Sequence, residues 1–178
     1  DLHGLNLTTA SAAAADAFND TVLSYLRYRS DISANLLKTL AADPGFALGH
    51  VLKGYLAMLG YKQALVPVAV EAVRTAEGLI DGASDREKAH AGALGAWADG
   101  DLDRAIGTWE QILDAHPTDV LALRLHHFNA FWLGRPGAMA RQAEKALPQW
   151  GSDLPGWGTL LACRCFAHEE LGNYTLAE

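Results

Sequence analysis

Apolar residues recur at three- and four-residue intervals through most of this chain, the spacing that lays one face of an α-helix against a core. Phe18, Val22, Tyr25 and Leu26 mark a first helix, entered after an extended lead-in over residues 1–10 with Thr8, Thr9 or Ser11 as its cap. Ile32, Leu36, Leu37 and Leu40 predict a second helix, opening at Ser30 or Asp31. It ends at Asp43-Pro44, because a residue before proline is driven out of the helical region. Gly54, Tyr55, Leu59 and Gly60 belong to a third. A fourth runs over about residues 62–80, with Pro67 in its first turn or at a kink, and stops at Asp81-Gly82. Ser84 and Glu87 stand at the two positions of a capping box and open a helix carrying His90, Leu94 and Trp97. Asp99-Gly100-Asp101 turns the chain into a helix with Ile106, Trp109, Ile112 and Leu113 inward, and Pro117-Thr118-Asp119 turns it again. A helix ending at Leu133-Gly134 follows, then a shorter one to Leu147-Pro148, a connector over residues 151–155, and a helix from about Gly156 to Leu171-Gly172. Residues 174–178 begin one more.

The stretch from Ser84 to Gly134 gives these helices a unit. Gly100, Ala105, Trp109, Ile112 and Pro117 fall where a helical hairpin needs a tight turn, a small packing residue, an aromatic, an apolar plug and a stop. Gly134 follows Gly100 by 34 residues, about the period of a tetratricopeptide repeat. The turn glycines Gly60, Gly100, Gly134 and Gly172 are separated by 40, 34 and 38 residues. The expected fold is therefore all-α, a tetratricopeptide-like superhelix of about five hairpins with stretched connectors and an incomplete last repeat. Residues 1–178 then form a single helical-repeat domain, the N-terminal part of a longer array, in which each hairpin buries its apolar face by stacking on its neighbours.

Half the residues are hydrophobic and a fifth charged, which is a globular composition. A formal net charge of −7 with no cluster of Lys or Arg argues against nucleic acid. No apolar run is long enough for a membrane span, and the first residues lack the basic and apolar blocks of a signal peptide. Cys163 and Cys165 are two residues apart on a helix and point away from each other, so they read as separate thiols in a reducing compartment, the cytoplasm.

The ordered string from DREKAH through GDLDRAIGTWEQILDAHPTDVLALRLHHFNAFWLG to LPQW and LPGWGTLLACRCFAHEELGNYTLAE, with LTTAS near the start, resembles the tetratricopeptide repeat protein 38 family. The resemblance implies an α-solenoid of poorly defined function, longer than this chain, and brings no catalytic residues with it.

In such arrays the first helix of each hairpin lines a concave groove. With Gly100 and Gly134 as the turn positions, the third hairpin presents Glu87, His90, Leu94 and Trp97, and the fourth presents Leu121, Arg124, Phe128 and Phe131. Ala47, His50 and Gly54 take the corresponding places on the second. The imidazoles and Arg124 beside aromatic surface suit a carboxylate-bearing peptide or small molecule. The expectation is a binding scaffold for a protein or peptide partner, with no catalysis, no cofactor and no metal. A homodimer through the unfinished last repeat is an intermediate option. The rival is an enclosed helical pocket, a small-ligand site or enzyme, using His90 and His126. His126 and His127 are adjacent and diverge by about 100° on a helix, so they do not share one ion.

Overall fold

A computed structural model describes all 178 residues. Ten α-helices and two short 3-10 turns make up its regular structure, and no strand is present. The helices are α1 (Ala12–Leu26), α2 (Ile32–Ala42), α3 (Ala47–Met58), α4 (Val66–Glu77), α5 (Asp85–Ala98), α6 (Leu102–Ala115), α7 (Val120–Trp132), α8 (Pro136–Ala146), α9 (Trp157–Glu170) and α10 (Tyr174–Ala177). Of the three candidate caps before α1, Ser11 is the one used, its hydroxyl accepting the Ala14 N–H. Proline shortens α4: Pro67 occupies the first turn, and residues 63–65 before it form a 3-10 turn.

The chain divides into two compact units, one of residues 6–108 with Asp1, the other of residues 2–5 and 109–178. The boundary falls inside α6, at no linker. In the first unit α1 packs on α2, α3 on α4, and α5 rests on both α3 and α4. In the second, α7 packs on α8, α9 rests on both, and α10 folds back on α9. Each unit thus contains one such step, α5 on the α3–α4 hairpin and α9 on the α7–α8 hairpin, whereas α3 meets the first hairpin through α2.

A recurrent hydrogen-bond pair closes the hairpins. After α5 the Gly100 N–H bonds the Trp97 carbonyl and the Asp101 N–H bonds the Ala96 carbonyl. Gly134 and Arg135 repeat the pair on Phe131 and Ala130, and Gly172 and Asn173 on Glu169 and His168. Tyr28 and Arg29 make it as well, on Tyr25 and Ser24. These are Schellman closures, which need one left-handed residue each. Glycine fills that place at Gly100, Gly134 and Gly172, but Tyr28 fills it in the first hairpin at φ 53°. In the second hairpin the left-handed residue is Tyr61 (φ 48°), one position after the expected Gly60. Gly60 leaves room instead for Leu65, whose Cδ1 would lie 2.7 Å from a Cβ there and would have to shift.

The core of the first unit forms around a close approach. A Cβ on Gly54 would stand 2.3 Å from Leu94 Cδ2 and 3.1 Å from the Ala72 Cβ, so α3 meets α5 and α4 at this position. Gly54→Ala is expected to destabilise the protein by about 1–3 kcal/mol through overpacking, despite alanine's better helix propensity. Urea denaturation checks it, and an unchanged midpoint would show that Leu94 has room to move.

One seam departs from the apolar pattern. Leu37, expected inward, is 69% exposed, while Asn35 and Thr39 are buried against α1. Asn35 Nδ2 donates to Ser24 Oγ at 3.2 Å, and the Thr39 and Thr21 hydroxyls lie 3.4 Å apart, each also bonded to a carbonyl one turn back. A polar seam is tolerated because every buried group in it finds a partner.

Candidate functional site

In the first unit the capping box at the start of α5 forms as its sequence dictates. Ser84 Oγ accepts the Glu87 N–H, and the Glu87 carboxylate accepts the Ser84 N–H at 2.9 Å. The same carboxylate reaches beyond its own helix. Glu87 Oε1 accepts the Thr8 N–H at 2.8 Å and Oε2 accepts the Thr8 hydroxyl. Burial pushes the Glu87 carboxyl up, and the donors from Thr8 and Ser84 outweigh it, holding the group below the ordinary carboxylate range. Next to it, buried Arg86 donates to the Asn6 carbonyl at 2.7 Å. Thr9 Oγ1 donates to Asp43, whose other oxygen accepts the Gly45 N–H. The lead-in is therefore extended, as its sequence reads, but tied down. Residues 7–10 form one wall of an open cleft of about 580 Å³, completed by Asp43, Gly45, Ala47, Leu79, Asp81 and Ala83.

His90 lies deeper. Its ring is fully buried, and the Tyr55 hydroxyl donates to its carbonyl at 2.7 Å while resting 3.2 Å from Nδ1. That geometry puts a proton on Nδ1, so tyrosine and histidine each satisfy the other. Tyr55 and Tyr61 both contact the Trp97 ring, at 6.3 Å between centroids. Glu87, His90 and Trp97, grouped by sequence as a ligand-facing stripe, are thus 1%, 0% and 5% exposed. Their side chains are occupied by Thr8, Tyr55 and Tyr61. His50 is half-buried and bonds the Pro44 carbonyl just ahead of α3.

In the second unit α7 carries Arg124, Phe128 and Phe131, all half-buried. The Arg124 guanidinium lies 4.0 Å from the Phe128 ring centroid, and its Nη1 is 3.5 Å from Cys163 Sγ on α9. Burial pushes the Cys163 thiol up, opposing thiolate formation, while Cys165 is exposed. Phe131 turns into the core, edge-on to Phe166 at 5.2 Å and against Ala130, Met139, Ala140 and Ala167. Arg124 and Phe128 stay half-buried beside each other on α7.

Two histidines of this unit bond to carboxylates on neighbouring helices. Fully buried His126 donates through Nε2 to Glu110 on α6 at 3.2 Å, and His168 donates through Nε2 to Glu144 on α8 at 2.8 Å. Glu110 and Glu144 each stand ten residues past a turn glycine, so the carboxylate repeats with the hairpin while its histidine shifts by one helical turn. In both pairs the buried Nδ1 has no hydrogen-bond partner. In His126, which burial keeps neutral, that atom carries the ring's lone pair, a milder loss than an orphaned N–H. Burial lowers the His126 pKa in spite of Glu110. His127 is lowered to about 4, by burial first and then by Arg124 and His126. Glu144 is held low, first by its bond from His168 and then by Arg164, which also donates to the Leu176 carbonyl of α10.

Sequence reading missed His3 altogether. Its Nε2 donates to the Pro155 carbonyl at 2.7 Å, its ring lies against Trp150, and Thr118 bonds its carbonyl. Trp150 in turn donates to the Pro117 carbonyl at 2.8 Å. A single histidine outside any helical period gives no signal of such a tie.

No three His, Cys, Asp or Glu side chains converge as a metal site would require, and no helix is long and apolar enough to cross a membrane. No family model matches the chain, and no solved structure matches it.

Proposed function

We propose that this chain is a helical-repeat binding module of tetratricopeptide-like architecture that holds a carboxylate-bearing peptide or protein segment, with α7 as the recognition helix. The observation that carries the reading is the Arg124–Phe128 pair. A half-buried guanidinium held over a ring at 4.0 Å has its orientation fixed, and the ring sets apolar area beside the charge, the pairing of cation and aromatic that suits a carboxylate. The repeated Schellman closures, and the seating of α5 on α3–α4 and of α9 on α7–α8, support the repeat architecture. By contrast, His90 and His126 are fully buried, with His90 Nδ1 on Tyr55 and His126 Nε2 on Glu110, and present no surface to a substrate.

The test is fluorescence anisotropy with a labelled glutamate-rich peptide, wild type against Arg124→Ala. The expected result is a loss of about tenfold in affinity, the size of one charge-assisted hydrogen bond, with the wild-type signal falling as salt is raised. Equal affinity for the two proteins, or no binding to either, overturns the reading.

A further inference from the structure

The lead-in of the first unit is held the way a protein holds a peptide ligand. Asn6 and Thr8 are two residues apart in an extended segment, so the Asn6 carbonyl and the Thr8 N–H face the same edge. Arg86 takes the carbonyl at 2.7 Å and Glu87 takes the N–H at 2.8 Å. Consecutive residues at the start of one helix thus grip both polar groups of a peptide backbone, a recognition that reads extension and not sequence. Specificity comes from the hydroxyls, since Thr8 donates to Glu87 and Thr9 donates to Asp43.

Arg86 and Glu87 are almost fully buried, a costly placement for two charges unless both are bonded. The segment that satisfies them is held by polar contacts and buries little apolar surface. Asn6, Thr8 and Ala10 are exposed, and Leu7 is only half-buried. A few hydrogen bonds over little apolar contact describe a region that opens locally, without global unfolding.

We infer that Arg86, Glu87 and Asp43 form a binding site for an extended, uncharged peptide segment with two consecutive hydroxyl side chains, and that residues 6–10 occupy it in cis. An acidic segment is rejected here, because its carboxylates would face Asp43 and Glu87 in place of the threonine hydroxyls that now donate to them. This site is separate from the Arg124 surface and takes the opposite chemistry, so it stands whether or not that surface binds an anion.

Two measurements on the full chain test it. Hydrogen exchange should show the Thr8 amide exchanging about 100-fold faster than the core amides of α5, by local opening. A labelled peptide of residues 4–11, Gly-Leu-Asn-Leu-Thr-Thr-Ala-Ser, should bind a Thr8→Val/Thr9→Val protein about ten times more tightly than wild type, because the weakened resident segment competes less. The same peptide with valine at both threonine positions should not bind. If the Thr8 amide exchanges only together with α5, or if the peptide binds both proteins alike, the segment is fixed structure and the site is not a receptor. The exchange experiment uses wild-type protein, so it decides the matter even where the double variant fails to fold.

Discussion

Tyr55→Ala should lower the stability of the protein by about 4 kcal/mol, the range for deleting a fully buried aromatic ring. The ring is 0% exposed and meets His90 edge-on at 5.9 Å between centroids. Its removal leaves a cavity and takes the hydroxyl away from the His90 carbonyl and Nδ1. Tyr55→Phe separates the two contributions. It keeps the ring and removes only the hydroxyl, so about 1–2 kcal/mol should be lost. Urea titrations of the two variants give both values. A cost under about 1 kcal/mol for the alanine variant would mean that His90 does not depend on Tyr55, and a ligand-facing role for the imidazole would reopen.

His90 also shows where sequence legibility stops. The helix that carries it was readable from the capping box at Ser84 and the apolar spacing of Leu94 and Trp97, and that helix forms as expected. Helical spacing identifies which residues share a face. It does not identify which element covers that face, because the covering residue comes from elsewhere in the chain: Tyr55 is 35 positions earlier than His90, and Thr8 is 79 earlier than Glu87. The same limit explains the polar seam of α1 and α2, where leucines promised an apolar contact and asparagine and threonine make it. Turns were legible where glycine supplied the left-handed residue. At Tyr28 and Tyr61 the conformation costs about 1 kcal/mol or more and is imposed by the hairpin around it, so no local signal marks it. The bonds that tie down residues 3–9 link a segment without periodicity to partners far along the chain, and only the folded structure brings them together.

Acid should weaken the second unit well before its carboxylates titrate. His127 is 4% exposed, lies beside Arg124 and His126, and has its pKa lowered from about 6.5 to about 4. Between those values the unfolded chain binds a proton that the folded chain refuses, so stability rises with pH across the window. The contribution of His127 is fully present above pH ~6.5 and is lost as pH falls toward 4, amounting to about 3 kcal/mol at the acid end. His126 is shifted in the same direction, since burial outweighs the attraction of Glu110, and steepens the loss. The depressed carboxyls of Glu87 and Glu144 act in a lower window. Their stabilisation is complete above the ordinary carboxylate pKa and is lost only as pH falls through their depressed values. Urea denaturation at half-unit steps from pH 7.5 to 4 should therefore show a decline beginning near pH 6.5, and His127→Gln should flatten it by removing the titrating ring while keeping an amide of similar reach. A wild-type curve level from pH 7 to 5 would mean that water reaches the imidazole, and that α7 and α9 leave it more open than their packing in this structure.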